Sequence, residues 1–155
     1  MMSKTAYHIS LSMNKTLLLI VSLFGFSLFA GCGSDSSDIP SQSLEQNPLP
    51  ACPDSPNCIR ITKQFPMPGD TVYSYALASL QSMNPEKITE KRDSLTITTV
   101  FKVFLFRDDL DVQVTGQDSS SSLLHVRSAS RVGESDLGVN TRRVKKFLQN
   151  VEQQQ

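Results

Sequence analysis

The 155-residue chain has no tryptophan, two histidines and three cysteines, and no excess of either charge, since 15 basic residues balance 15 acidic ones. Each shortage excludes something. A neutral balance offers no strongly basic face of the kind that nucleic acid demands, so no nucleic-acid partner is expected. Only His125 lies beyond residue 31, which is thin equipment for proton transfer near neutral pH. No Gly-x-Ser-x-Gly elbow, Walker loop or His-Glu-x-x-His pair occurs. The cysteines and one distant histidine fall short of a usual metal-ligand set, so no metal and no other cofactor is expected. The long apolar run, residues 17–29, is about 13 residues against the roughly 20 that a membrane-spanning helix needs.

That run belongs instead to an export signal. Met13-Asn14-Lys15-Thr16 supplies a charged start, residues 17–29 an apolar middle, and Ala30-Gly31-Cys32 a small-residue end. Met13 opens a signal of ordinary length by itself; residues 1–12 are either an overlong start or an extension of the charged region. Leu28-Phe29-Ala30-Gly31-Cys32 resembles the lipobox of bacterial lipoproteins, with Phe29 where leucine is commoner. The resemblance implies that the Cys32 thiol receives a diacylglycerol and that cleavage leaves Cys32 as the first residue. Two or more acyl chains anchor stably, because each buried methylene contributes about 0.8 kcal/mol. An ordinary secretory signal with a chance cysteine is the alternative. Removing residues 1–31 takes away Lys4 and Lys15 and no acid, leaving 13 basic residues against 15 acidic. Gly33, rather than aspartate, follows the cysteine, which resembles the class sent to the outer membrane, facing the periplasm, where the host has two membranes.

Residues 32–50 read as the lipidated cysteine and a flexible tether. They are polar, rich in serine and proline, and nearly free of apolar periodicity. Such a tether spans on the order of 23 Å. Residues 51–152 are then one α+β domain of ordinary small size. It opens with Cys52-Pro53-Asp54-Ser55-Pro56-Asn57-Cys58, a turn-rich loop with a cysteine at each end. In an oxidising compartment this pair reads as a disulfide. A metal site and a redox pair are the rivals.

After Pro68-Gly69-Asp70 a helix is expected, capped by Asp70, with Val72, Ala76, Leu80 and Met83 on one stripe and Asn84-Pro85 ending it. Residues 86–92 suggest a short strand. From Leu95 to Phe106 the pattern alternates, and Phe104 and Phe106 make that end apolar on both faces, which predicts cover on both sides there. Arg107-Asp108-Asp109 reads as a turn, Leu110, Val112 and Val114 as the next strand, and Leu123 to Ser130 as another. Short connections imply antiparallel pairing. Val144, Phe147, Leu148 and Val151 place a one-sided stripe on a final helix from about Asn140. The architecture predicted is an antiparallel sheet with an N-terminal and a C-terminal helix on one face, one version of which curls around the last helix.

Three segments carry a family resemblance. The loop 52–58 resembles the opening motif of domain of unknown function 1499. Phe106-Arg107-Asp108-Asp109-Leu110 is similar to that family's aromatic-x-Asp-Asp-aliphatic turn. Residues 127–143, Arg-Ser-Ala-Ser-Arg-Val-Gly-Glu-Ser-Asp-Leu-Gly-Val-Asn-Thr-Arg-Arg, resemble its long C-terminal signature. The matches come in the family's order and cover about residues 50–150. The family's name confers no activity.

The same C-terminal segment holds the candidate binding residues: Arg127, Ser130, Arg131, Asp136, Asn140 and Arg143. Arginines beside a helix start capped by Asn140 suit an anion, a phosphate or carboxylate on a small ligand or lipid headgroup. Ion pairs from Asp108, Asp109 and Asp136 to those arginines would account for the same residues without a ligand. No catalytic residue is assigned, and His125 reads as an exposed or satisfied sheet residue. The expected function is a non-enzymatic module, anchored to the membrane, that binds a small anionic or amphipathic ligand or an envelope protein. A hydrolase or transferase using a site near Asp136 and Asn140, and a purely structural envelope protein, are the alternatives.

Overall fold

The computed structural model describes residues 47–155. The expected signal, Cys32 and the expected tether up to residue 46 lie outside the described residues. Five strands form one antiparallel sheet, with two helices in the chain order β1 (Cys58–Phe65), α1 (Gly69–Ser82), β2 (Lys87–Lys91), β3 (Thr96–Val103), β4 (Phe106–Gly116), β5 (Ser122–Ser130) and α2 (Val139–Glu152). The strand order is β1-β5-β4-β3-β2, so the sheet is curled but open, with β1 and β2 at its edges.

Register explains the core. Ile61, Val126, Val112 and Ile97 stand opposite one another across four adjacent strands and share one face. Every second residue points the same way, so Phe65, Phe101, Leu110, Val114 and Leu124 join that row. Onto it α1 sets Val72, Tyr73, Ala76 and Leu80, and α2 sets Val144, Phe147, Leu148 and Val151. Both helices therefore cover one face, the α+β arrangement that the stripes predict. Burial of this alternating set is the main stabilising term, at roughly 1.5–3 kcal/mol for each large apolar side chain fully removed from water.

Four local expectations are corrected. Strand β1 has no counterpart among the elements expected from the sequence, although Ile59 and Ile61 alternate with Arg60 and Thr62. The α1 cap is not Asp70. Pro68 holds that position, no side chain caps the helix, and Asp70 lies in the first turn. Arg107, Asp108 and Asp109 lie in β4, because the chain reverses earlier, at Phe104 and Leu105, with Phe104 at φ 55°. That reversal leaves Phe104, Leu105 and Phe106 exposed, so no layer covers the second face there.

The packed chain also begins before Ala51. Asn47 and Leu49 are buried. The Asn47 side chain donates to the Ile61 carbonyl at 2.7 Å, and Arg60 donates back to the Asn47 carbonyl. Residues 47–50 therefore lie along the β1 edge, which would otherwise offer open backbone groups. Next to them, Cys52 and Cys58 form a disulfide. Closing so short a loop contributes about 2 kcal/mol on the chain-entropy model.

Candidate functional site

The six residues singled out in the C-terminal segment separate when the sheet forms. Residues of odd number in β5 and its extension face away from the helices. Arg127 lies 3.9 Å from Asp111 on that side, and Arg131 grips Asp109 with two nitrogens at 2.7 to 3.1 Å. Burial raises the Asp111 carboxyl above the ordinary carboxylate range, although a Thr98 hydrogen bond and Arg127 oppose the shift. Ser130 faces the helix side instead, with Asn140 and Arg143. The arginines do not converge.

The ion-pair account of the cluster holds for two of its three acids. Asp108 pairs with Arg143 and Asp109 with Arg131. Asp136 takes a different role. Its carboxylate accepts from the backbone N–H of Gly138 at 2.9 Å and of Asn140 at 2.6 Å, so it satisfies the open amides at the start of α2. Partial burial works against its charge, but those amide donations prevail and hold the carboxyl below its usual range. Asn140 is thus not the cap, and the helix start already contains an anion of its own. Gly138 precedes the helix at φ 75°, a conformation in which any other side chain is strained.

Asn140 is the centre of a buried polar network. Its amide nitrogen donates to the Asn57 carbonyl and to Ser130 Oγ, and its oxygen accepts from Ser128 Oγ and Arg143 Nη1. Arg143 also donates to Asp108 Oδ2 at 2.8 Å and lies over the Phe101 ring, 4.9 Å from its centroid. Asn57 is held to the Gly133 carbonyl by its own side chain. The disulfide loop, β5, the 131–138 loop and α2 are pinned together at one end of the sheet.

A pocket opens at that same end. Its volume is about 350 Å³, with Val103, Phe106, Val132, Leu137 and Val139 as apolar walls and Ser130, Asp108 and Asp136 as polar ones. Phe106, Val132 and Leu137 are exposed at its edge, and Phe104 and Leu105 stand exposed on the adjoining β3–β4 turn. Sequence reasoning missed this rim. Its signal was the triplet Phe104-Leu105-Phe106, which breaks the alternation just before a charged stretch.

His125 is remote from the pocket. It is buried on the opposite face of the sheet between Thr62 Oγ1 at 2.9 Å and Thr115 Oγ1 at 3.2 Å. Burial, and then the nearby Arg60 charge, push its pKa down, and both ring nitrogens have hydroxyl rather than carboxylate partners. Of the two readings its position allows, exposed or satisfied, it is the satisfied one. Among the described residues no three His, Cys, Asp or Glu side chains converge as metal ligands. What the arrangement can do is enclose an apolar group and offer a hydroxyl and two engaged carboxylates to its polar end.

Three solved structures give partial overlaps. The di-domain ARO/CYC StfQ from the steffimycin biosynthetic pathway is 12% identical, with 60% of this chain and 43% of that chain covered and a TM-score of 0.46. This chain therefore spans less than half of that one. A protein of Thermus thermophilus is 11% identical over 62% and 94% of the two chains, with a TM-score of 0.42. A START superfamily protein from Mycobacterium smegmatis is 14% identical over 62% and 92%, with a TM-score of 0.37. None of these overlaps assigns a ligand or a reaction here. No curated protein matches the sequence. The family model described as "Protein of unknown function (DUF1499)" matches residues 48–151, the whole of the described domain apart from its first residue and its last turn, and the chain belongs to that family.

Proposed function

We propose that this is a membrane-anchored, non-enzymatic binding protein whose domain takes the apolar part of a small amphipathic molecule. The pocket carries the proposal: about 350 Å³, mostly apolar walls, and an apolar rim. Concave apolar sites with a few polar groups are the usual form of small-molecule sites. Lipidation at Cys32 and residence at a membrane belong to the same proposal and rest on the lipobox resemblance.

The pocket's charges refine the ligand. Among the described residues, the charged ones that line it are Asp108 and Asp136, both acidic and both already engaged. An anionic headgroup would meet no free cation there, so a neutral or cationic polar end fits better than the phosphate or carboxylate expected from the arginines. An enzymatic use of Asp136 and Asn140 loses support for the same reason. One accepts from two backbone amides around the start of α2, and the other is buried in a saturated network.

Native mass spectrometry of the full chain purified from membranes tests this reading. The wild type is expected to carry an apolar species that Val103→Trp, which fills the pocket, does not. Val103 is only partly buried, so the variant is expected to keep its unfolding midpoint. A wild type that carries nothing and takes up no hydrophobic dye, or a variant that carries the same load, defeats the proposal.

A further inference from the structure

Among the described residues, the large apolar side chains that stand exposed are Phe104 at 82%, Leu105 at 75%, Phe106 at 54%, Val132 at 55% and Leu137 at 85%. All five project from the β3–β4 turn and the 131–138 loop, at one end of the sheet. Scattered single exposures are normal; a group confined to one end marks an interaction surface. Two of the five, Phe104 at φ 55° and Leu137 at φ 51°, occupy left-handed backbone. Glycine or asparagine relieves that strain, and here bulky apolar residues bear it while facing water.

We infer that this rim is a membrane-docking surface, and that it enters the acyl region of the bilayer to which Cys32 anchors the chain. Three observations choose a bilayer over a protein partner. The first is form: the rim is a set of separate projecting side chains on two turns, which suits a deformable apolar medium better than a complementary protein face. The second is charge. Lys102 lies two residues before Phe104, and Arg142 donates to the Leu137 carbonyl at 2.9 Å. Both are exposed just behind the apolar tip, where anionic headgroups would meet them; of the exposed acids at this end, Glu86 is already held by the exposed Arg107, and Glu134 and Asp54 stand on the neighbouring loops. The third is reach. Fourteen residues separate Cys32 from Asn47, so a fully extended connection reaches no farther than about 50 Å. From Asn47 the chain runs to the disulfide loop, whose Asn57 bonds Gly133 within the rim loop itself. The described chain thus enters beside the middle of β1 and runs from there to the rim end of the sheet.

The inference rests on the anchored part of the function proposed above but not on the pocket being filled. Docked in this way, the pocket mouth opens into the bilayer rather than into water.

The absence of tryptophan gives a clean test. Leu105→Trp places one indole on the rim, and Gln117→Trp places one in the exposed loop between β4 and β5, at the other end of the sheet. Each full-length lipidated variant is reconstituted into vesicles of phosphatidylethanolamine and phosphatidylglycerol carrying brominated acyl chains. The rim indole is expected to lose most of its fluorescence and shift to the blue, while the control keeps both intensity and wavelength. Equal response of the two indoles overturns the inference. So does a blue shift that grows with protein density without bromine quenching, which would mean a second copy or another protein covers the rim. Intact mass reports Cys32 lipidation and bound lipid in the same samples. A quenched rim on a protein with no bound lipid keeps this inference and removes the pocket reading, and a loaded pocket with an unquenched rim does the reverse.

Discussion

Arg143→Ala is expected to destabilise the domain by about 3–5 kcal/mol, the cost typical of removing one partner from a buried ion pair. Asp108 is 3% exposed and Arg143 8%, so water reaches neither side chain to take over the lost interaction. Four contacts disappear together: the 2.8 Å bond to Asp108, the bonds to Asn140 and Ser128 and the stacking over Phe101. What remains is a carboxylate at the pocket wall with no counter-charge. Small domains have only about 5–15 kcal/mol of total stability, so the urea midpoint should fall steeply. A compensating pair separates loss of charge from loss of packing. Asp108→Leu together with Arg143→Met removes both charges, and such replacements are commonly neutral or stabilising by about 1–4 kcal/mol. Recovery of most of the midpoint in the double variant is the expected result. If Arg143→Ala alone unfolds no earlier than the wild type, the pair does not hold this end of the sheet.

The same residues show what could be read from the sequence. Helix α2 was legible because Val144, Phe147, Leu148 and Val151 repeat at helical spacing, and strands β3 to β5 because their apolar residues alternate. The separation of the arginines was legible too, from parity alone. Arg127 and Arg131 are odd, Ser128 and Ser130 even, and in a strand those sets face opposite ways. Two features were not legible, for physical reasons. A reversal at Phe104 needs a positive φ that a phenylalanine rarely adopts, so local propensity points to a continued strand. The sequence assigns the cap of α2 to Asn140 alone, although Asp136 is a residue type that suits a helix start equally well. Only the tertiary fold decides, because it draws Asn140 inward to Asn57, a residue distant in sequence. The pocket was invisible for a related reason: its walls come from the ends of β3 and β4, the 131–138 loop and the start of α2, which no single local pattern joins.

Asn140→Ala is expected to lower stability by about 2–3 kcal/mol, since each buried polar group left without a partner costs about 1–3 kcal/mol. Asn140 is 1% exposed and serves four groups, but the loss is moderated by what its partners retain. The Asn57 carbonyl still accepts from the Ser130 backbone at 3.0 Å, and Arg143 keeps Asp108 and Ser128. The two residues share one hydrogen bond and the Ser128 hydroxyl, so their effects should not add. The double variant Asn140→Ala with Arg143→Ala is expected to fall short of the sum of the singles, with a coupling of about 0.5–3 kcal/mol. Urea midpoints of the four proteins measure it. A sum that agrees within about 0.5 kcal/mol would mean that the two residues act independently. The network would then be a set of separate bonds rather than one brace. If the coupling is found, it reaches the pocket: Asn140 holds Ser130, Arg143 holds Asp108, and both of those side chains are pocket walls. Ligand carriage should then fall in each single variant at temperatures where the domain is still folded, because the walls lose their fixed positions before the core loses its packing.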